Sequence, residues 1–219
     1  MNPAAGAAPA LDFRSDTRTS PDAEMRAAMA GAEVGDDAYG DDPAVLELEA
    51  AGARLLGTEA ALFLPSSTMS NLVAVLAAAE GGPAQDGTAQ DRAGPARLLT
   101  GADTHIARFE AEAVRRFAAA ELVPLAQRAD GSPDPAALAA ALRAGTGGMV
   151  VVSLENTCML HAGNALDAAT LHTLAATTRR HGAHVHLDGA RLANAAVALG
   201  LPVAALARAR DRATTRPEP

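Results

Sequence analysis

Between residues 97 and 209 short apolar runs alternate with longer stretches of helical spacing, and no other feature of the chain constrains its fold as tightly. LLTG, ELVPL, GMVVVSLEN (148–156) and HVHLD (184–188) are the strand candidates, four to nine residues each. Separating them are EAEAVRRFAAA (110–120), DPAALAAALRAG (134–145) and DAATLHTLAATTRRHG, in which apolar residues recur three and four apart; Leu171, Leu174 and Ala175 mark one such face. Strands linked by helices rather than by two-residue turns form crossover units. The expected fold class is therefore α/β, a mostly parallel sheet flanked by helices.

Upstream, the same reading predicts a helix over 21–32, with Ser20 as N-cap and Pro21 in its first turn. A second helix follows Asp42 and Pro43 and closes at Gly57. EAALFLP (59–65) reads as a buried strand and SNLVAVLAAAE (70–80) as a helix, which together bracket Ser66 to Met69. GGPAQDGTAQDRAGPAR (81–97) is poor in apolar residues and rich in Gly, Pro, Gln and Asp, as a surface loop is. A last helix is expected at 202–209, after which arginine, threonine and proline replace the pattern where another strand is due.

Composition narrows the function classes. A formal net charge of -8, with no basic run longer than a pair, argues against a nucleic-acid partner, since phosphate binding needs clustered cations. No apolar stretch approaches the roughly 20 residues that span a bilayer, so no membrane partner is expected. Cys158 is the sole cysteine, and the first ten residues lack the charged and apolar regions of a signal peptide, which together read as cytoplasmic. The histidines show no carboxylate or cysteine partner at metal spacing, so no metal is expected. All 18 basic residues are arginine; the 219-residue chain contains no lysine.

Ligands of parallel sheets collect beyond the carboxyl ends of the strands. Asp188 and the hydroxyls of Ser66 to Thr68 stand at such ends. Ser-Ser-Thr between a strand and a helix offers an anion site at a helix N-terminus, although the same residues serve as ordinary caps. Asp188 is either a loop acid bonded to backbone or a carboxylate aimed at a ligand nitrogen, and Arg191 either pairs with it or grips a carboxylate as a planar fork. His105, in a polar loop after a strand, is either solvated or placed to stack on an aromatic ligand and move protons.

The motifs DFRSDTRTSP, EVGDDAYGDDP, ALFLPSSTMSN, DTHIARFE, SLENT and HLDGAR occur in an order that resembles the threonine aldolases, over about residues 11–211. That family belongs to the pyridoxal-phosphate (PLP) β-eliminating lyase group with an aspartate aminotransferase-type (fold type I) large domain. The resemblance implies a flexible N-terminus over 1–10, a large domain over 11–211 and an unrelated tail over 212–219. It implies pyridoxal 5'-phosphate as cofactor, with Thr68 and Ser67 at its phosphate, His105 stacked on its ring and competent in proton transfer, and Asp188 at its pyridine nitrogen. Ser15 and Arg191 would grip the amino acid's carboxylate. Glycine is usual in the family where Ser67 and Ser70 stand here. The implied reaction cleaves threonine or allo-threonine to glycine and acetaldehyde, in a homo-oligomer.

The family's Schiff-base lysine follows HLDGAR by about 30 residues, a place where this sequence reads RATTRPEP. A C-terminally truncated or frameshifted large domain, inactive for want of that lysine, is one expectation. The other is a non-catalytic remnant or oligomer-forming interaction protein that binds PLP without a covalent link.

Overall fold

The computed structural model describes residues 12, 15–79, 94–145 and 147–209. The expected boundaries at residues 10 and 211, and most of the 81–97 loop, lie outside them. The chain divides into two compact units, Met1–Leu48 and Glu49–Pro219.

In the first unit a short 3-10 turn, Asp16–Arg18, is followed by α1 (Ala23–Gly31). Helix α1 starts two residues later than the Ser20 cap predicts, because the Asp22 carboxylate accepts the Met25 N–H at 2.9 Å and ends the extended approach there. The acidic run that follows turns its carboxylates on its own backbone. Asp41 accepts the Asp36 N–H at 2.6 Å, Asp36 that of Ala38, and Asp42 those of Gly35, Ala44 and Val45. The Val45 N–H, then that of Gly35, holds the Asp42 carboxyl below its usual range. Gly35 is required at this turn, since a Cβ would stand 2.5 Å from the Asp41 carbonyl oxygen. Asp42 thereby opens α2 (Pro43–Leu56), which ends, as its sequence predicts, at a left-handed Gly57 with φ +62°.

The second unit is built on four parallel strands in the order β2–β1–β3–β4: β1 Arg97–Gly101, β2 Glu121–Leu125, β3 Val150–Glu155 and β4 His184–Asp188. Each is one of the runs the sequence marks. Because side chains alternate, the sheet buries both faces. Leu99, Val152, Leu154 and Val185 pack with Leu138 of α6 (Pro135–Arg143), with Leu171, Leu174 and Ala175 of α7 (Ala168–Arg180), and with α8 (Leu192–Leu199) and α9 (Val203–Ala207). Leu98 and Val151 face the other way, onto Val75 of α3 (Ser67–Ala79), Ile106 of α4 (His105–Phe109) and Val114 of α5 (Ala111–Phe117). On that second face the sheet turns polar toward its carboxyl end. By strand alternation Thr100, Ser153, Glu155, His186 and Asp188 all share the side of α3, α4 and α5, and Thr100, Ser153, Glu155 and Asp188 are buried.

One expected element is missing. Residues 59–65 form no strand: Leu62 is 70% and Phe63 46% exposed, and the Phe63 N–H donates to the Glu49 carboxylate at 2.7 Å. Apolarity supplies a strand's side chains but not the neighbour its backbone needs, and the four-stranded sheet gives this segment none. The helix expected over 110–120 is present as α5, and an additional short helix, α4, precedes it; Glu110 closes the first and opens the second.

Candidate functional site

The polar ends of β3 and β4, the start of α3 and the start of α4 converge on one network. Asp188, the last residue of β4, is 6% exposed, and its Oδ2 accepts from Asn71 Nδ2 at 3.0 Å while Oδ1 accepts from the Ala190 N–H at 3.2 Å. Asn71 lies on α3, three and four residues after Thr68 and Ser67, on the helix face that these two share. Both hydroxyl residues are exposed in the first turn of this 13-residue helix, where free backbone N–H groups and the positive end of the macrodipole suit an anion. Ser66 precedes them; its Oγ accepts the Met69 N–H at 3.2 Å.

His105 does not sit in a loop. It is the first residue of α4, whose N-cap Thr104 accepts the Ala107 N–H and is itself bonded to Thr100 Oγ1 at 2.9 Å. A Thr ahead of a four-residue apolar pattern is a cap signal, and five residues are too few for helical periodicity to show. The ring of His105 is held at Nδ1 by Glu110 Oε1, 2.6 Å away, and tilts against Phe109 with centroids 4.9 Å apart. Its backbone N–H donates to Glu155 Oε2, and Glu155 Oε1 takes the Met159 N–H at 3.0 Å. Burial pushes the Glu155 carboxyl above its usual range against these two donors, and the Asp188 charge adds to the rise. Burial likewise pushes the His186 ring below its usual value, with Asp188 opposing; its Nδ1 lies 2.9 Å from Ser153 Oγ.

Asn71 Nδ2 also reaches Glu110, at 3.3 and 3.4 Å from its two oxygens. The structure therefore links Asp188 to His105 through Asn71 and Glu110, and places Ser67 and Thr68 one helical turn from that link. Arg191 lies half-buried directly before α8. Ser15 belongs to the first unit, where its Oγ meets Thr17 Oγ1 at 2.8 Å and accepts the Thr17 N–H. Sequence reasoning missed Asn71, Glu110 and Glu155. Glu155 had a readable signal, an acid ending a strand as Asp188 does, whereas the other two become visible only through contacts 39 and 117 residues apart.

Residues 12–215 match the β-eliminating lyase family. Low-specificity L-threonine aldolase 1 of Arabidopsis thaliana is 35% identical over 206 residues, which cover 92% of this chain and 54% of the plant protein. The low specificity L-threonine aldolase of Escherichia coli K12 is 36% identical over 193 residues, 87% of this chain and 53% of its own length. The chain thus spans about half the length of the curated relatives it matches. In three dimensions, Leishmania major threonine aldolase superposes with a TM-score of 0.63 at 24% identity, over 79% of this chain and 48% of that one, and so shares its fold. On the match across residues 12–215, the chain belongs to the β-eliminating lyase family, with threonine aldolases among its relatives.

Proposed function

We propose that this chain carries a threonine-aldolase-type site that holds pyridoxal 5'-phosphate by non-covalent contacts alone and, having no lysine, does not itself cleave threonine. The single observation behind this reading is the buried strand-end carboxylate of Asp188, tied through Asn71 to the helix that begins with Ser67 and Thr68 and through Glu110 to His105. Those groups fit the cofactor's chemistry. An exposed pair of hydroxyls at a helix N-terminus suits a phosphate, a carboxylate with a fixed orientation suits a ring nitrogen, and an imidazole held at one nitrogen offers a flat face. When bound, the cofactor supplies an electron sink for breaking bonds at an amino acid's α-carbon.

The chain's own residues do the rest. Asp188 would hold a proton on the ring nitrogen, Ser67 and Thr68 would anchor the phosphate, and His105 would shield the ring and offer a proton-accepting site at Nε2, the nitrogen opposite its Glu110 contact. Arg191 is the candidate grip for the substrate's carboxylate. In the neutral ring, a hydrogen on Nδ1 donated to Glu110 leaves Nε2 as a base. The substrate class is threonine or allo-threonine, cut to glycine and acetaldehyde in family members that supply a lysine.

Titration of the purified chain with PLP, followed by fluorescence of the bound cofactor, tests the reading. Saturable binding without the long-wavelength band of a lysine-linked cofactor is expected, lost in Asp188→Ala, with no acetaldehyde released from threonine. Absence of binding in the folded parent, or sustained acetaldehyde release, refutes it. A second reading, an oligomer-forming interaction protein, is favoured by the exposure of Leu62 and of Val197, 85% exposed on α8. Light scattering of the purified chain decides it, a strictly monomeric mass counting against.

A further inference from the structure

Glu110 and Asn71 have no part in the site as its sequence is read, yet they are among its most enclosed polar side chains, 4% and 3% exposed. Glu110 stands at the N-cap of α5 and makes no side-chain capping bond there. An acid in that position ordinarily accepts the N–H groups of the helix it opens. Here the carboxylate turns the other way, toward Nδ1 of His105 at 2.6 Å and toward the Asn71 amide.

The amide is placed so that its two hydrogens serve two acids. One lies on the 3.0 Å line to Asp188 Oδ2, and the other is shared between the Glu110 oxygens at 3.3 and 3.4 Å. Its orientation has one solution, because a carbonyl oxygen turned toward two carboxylates would add repulsion to two unmet acceptors. Nor is either acid free to rotate without giving up that shared nitrogen. A shift of Glu110 turns the imidazole, and a shift of Asp188 is felt at Glu110.

From this geometry we infer that Asn71 and Glu110 are positioning residues that set His105 and Asp188 as one unit: Glu110 fixes which ring nitrogen of His105 carries the hydrogen, and Asn71 couples that choice to Asp188. The inference uses the proposed cofactor site only to say what the unit faces. Its test needs no cofactor.

The test is nitrogen-15 NMR of the histidine ring in the full chain, with the His105 signals assigned by their loss in His105→Asn. Nδ1 of the neutral ring should carry the signature of a protonated nitrogen and Nε2 that of a bare one. In Glu110→Leu the two signatures should exchange or average. Where Glu110→Leu does not fold, Glu110→Gln, which keeps the volume and an oxygen acceptor, should move both signals part of the way. The decisive variant for the coupling is Asn71→Leu, which alters a residue that makes no hydrogen bond to the ring and should nevertheless shift the His105 nitrogens; Asn71→Gln, restoring an amide, should return them toward the parent. A purely structural role would lower the unfolding midpoint and leave the ring signature where it was. Unmoved ring nitrogens in folded Glu110→Gln overturn the role of Glu110, and unmoved nitrogens in Asn71→Leu overturn the coupling.

A PLP titration of Asn71→Leu adds a separate arm. Affinity should fall about ten-fold or more, the loss of one hydrogen bond to a charged group. Should the parent fail to bind PLP while the ring signals respond as expected, the proposed function falls and the positioning pair stands.

Discussion

Replacing Glu155 by alanine probes the seam between sheet and site. Its carboxylate accepts two backbone N–H groups, that of His105 at the start of α4 and that of Met159 at 3.0 Å. The side chain is 6% exposed in the folded chain, so water does not readily take over from it. Two bonds to a charged acceptor contribute about 1.5–3 kcal/mol each. For the ionised form burial outweighs them, which is why the carboxyl is pushed upward, so what alanine forfeits is mainly the pairing of two backbone N–H groups, about 1–3 kcal/mol each. The expected net loss is about 2–4 kcal/mol, read as a lower urea midpoint at unchanged slope.

The pH dependence carries the sharper signature. With the folded value raised above the ordinary 4.5, the folded chain binds a proton that the unfolded chain has released, so the parent loses stability as pH climbs through that window. Alanine has nothing to titrate. The gap between parent and Glu155→Ala should therefore be widest in acid and narrow toward neutral pH. A gap that widens with pH, or a loss below about 0.5 kcal/mol, refutes the argument that burial dominates this carboxylate.

Three further outcomes follow from the same structure. His186 is half-buried with its ring held below the ordinary 6.5 by burial, so the unfolded chain gains a proton first, and stability should drop as pH falls through the ordinary histidine range; His186→Asn should flatten that part of the urea-midpoint profile. Gly148→Ala would set a Cβ against the Pro95 carbonyl oxygen and 2.6 Å from that of Gly94, forcing the entry to β1 aside at about 1–3 kcal/mol by denaturant titration, whereas Gly31→Ala, with nothing within 4 Å, should be tolerated. The Cys158 thiol, pushed up to about 12 chiefly by burial, should stay inert to a thiol reagent until the chain unfolds, and rapid labelling of the folded protein would contradict it.

Much of this molecule can be read in one dimension. MVVVSL, HVHLD and the spacing of Leu171, Leu174 and Ala175 announce β3, β4 and α7 because alternation and 3.6-residue repeats are local consequences of backbone geometry. HLDGAR gives away Asp188 for a related reason, an acid where a strand stops. Residues 59–65 mislead because the neighbour a strand requires is not encoded within it. Asn71 and Glu110 stay hidden for a different cause. A helical Asn beside leucines and a Glu before a basic helix look like solvated polar residues, and only the packing of α3 and α5 on one sheet face reveals what they enclose.

The two borders of the sheet are not alike. The Glu121 N–H of β2 donates to Ala96, so alternate residues of that strand point inward and Pro124 falls on the outward side, where it has no hydrogen to offer. That border resists extension. At the opposite border β4 pairs on one side only among the described residues, and it has no proline. A further strand can thus enlarge this sheet from one direction, and if it runs parallel, whatever residue follows it is delivered beside Asp188.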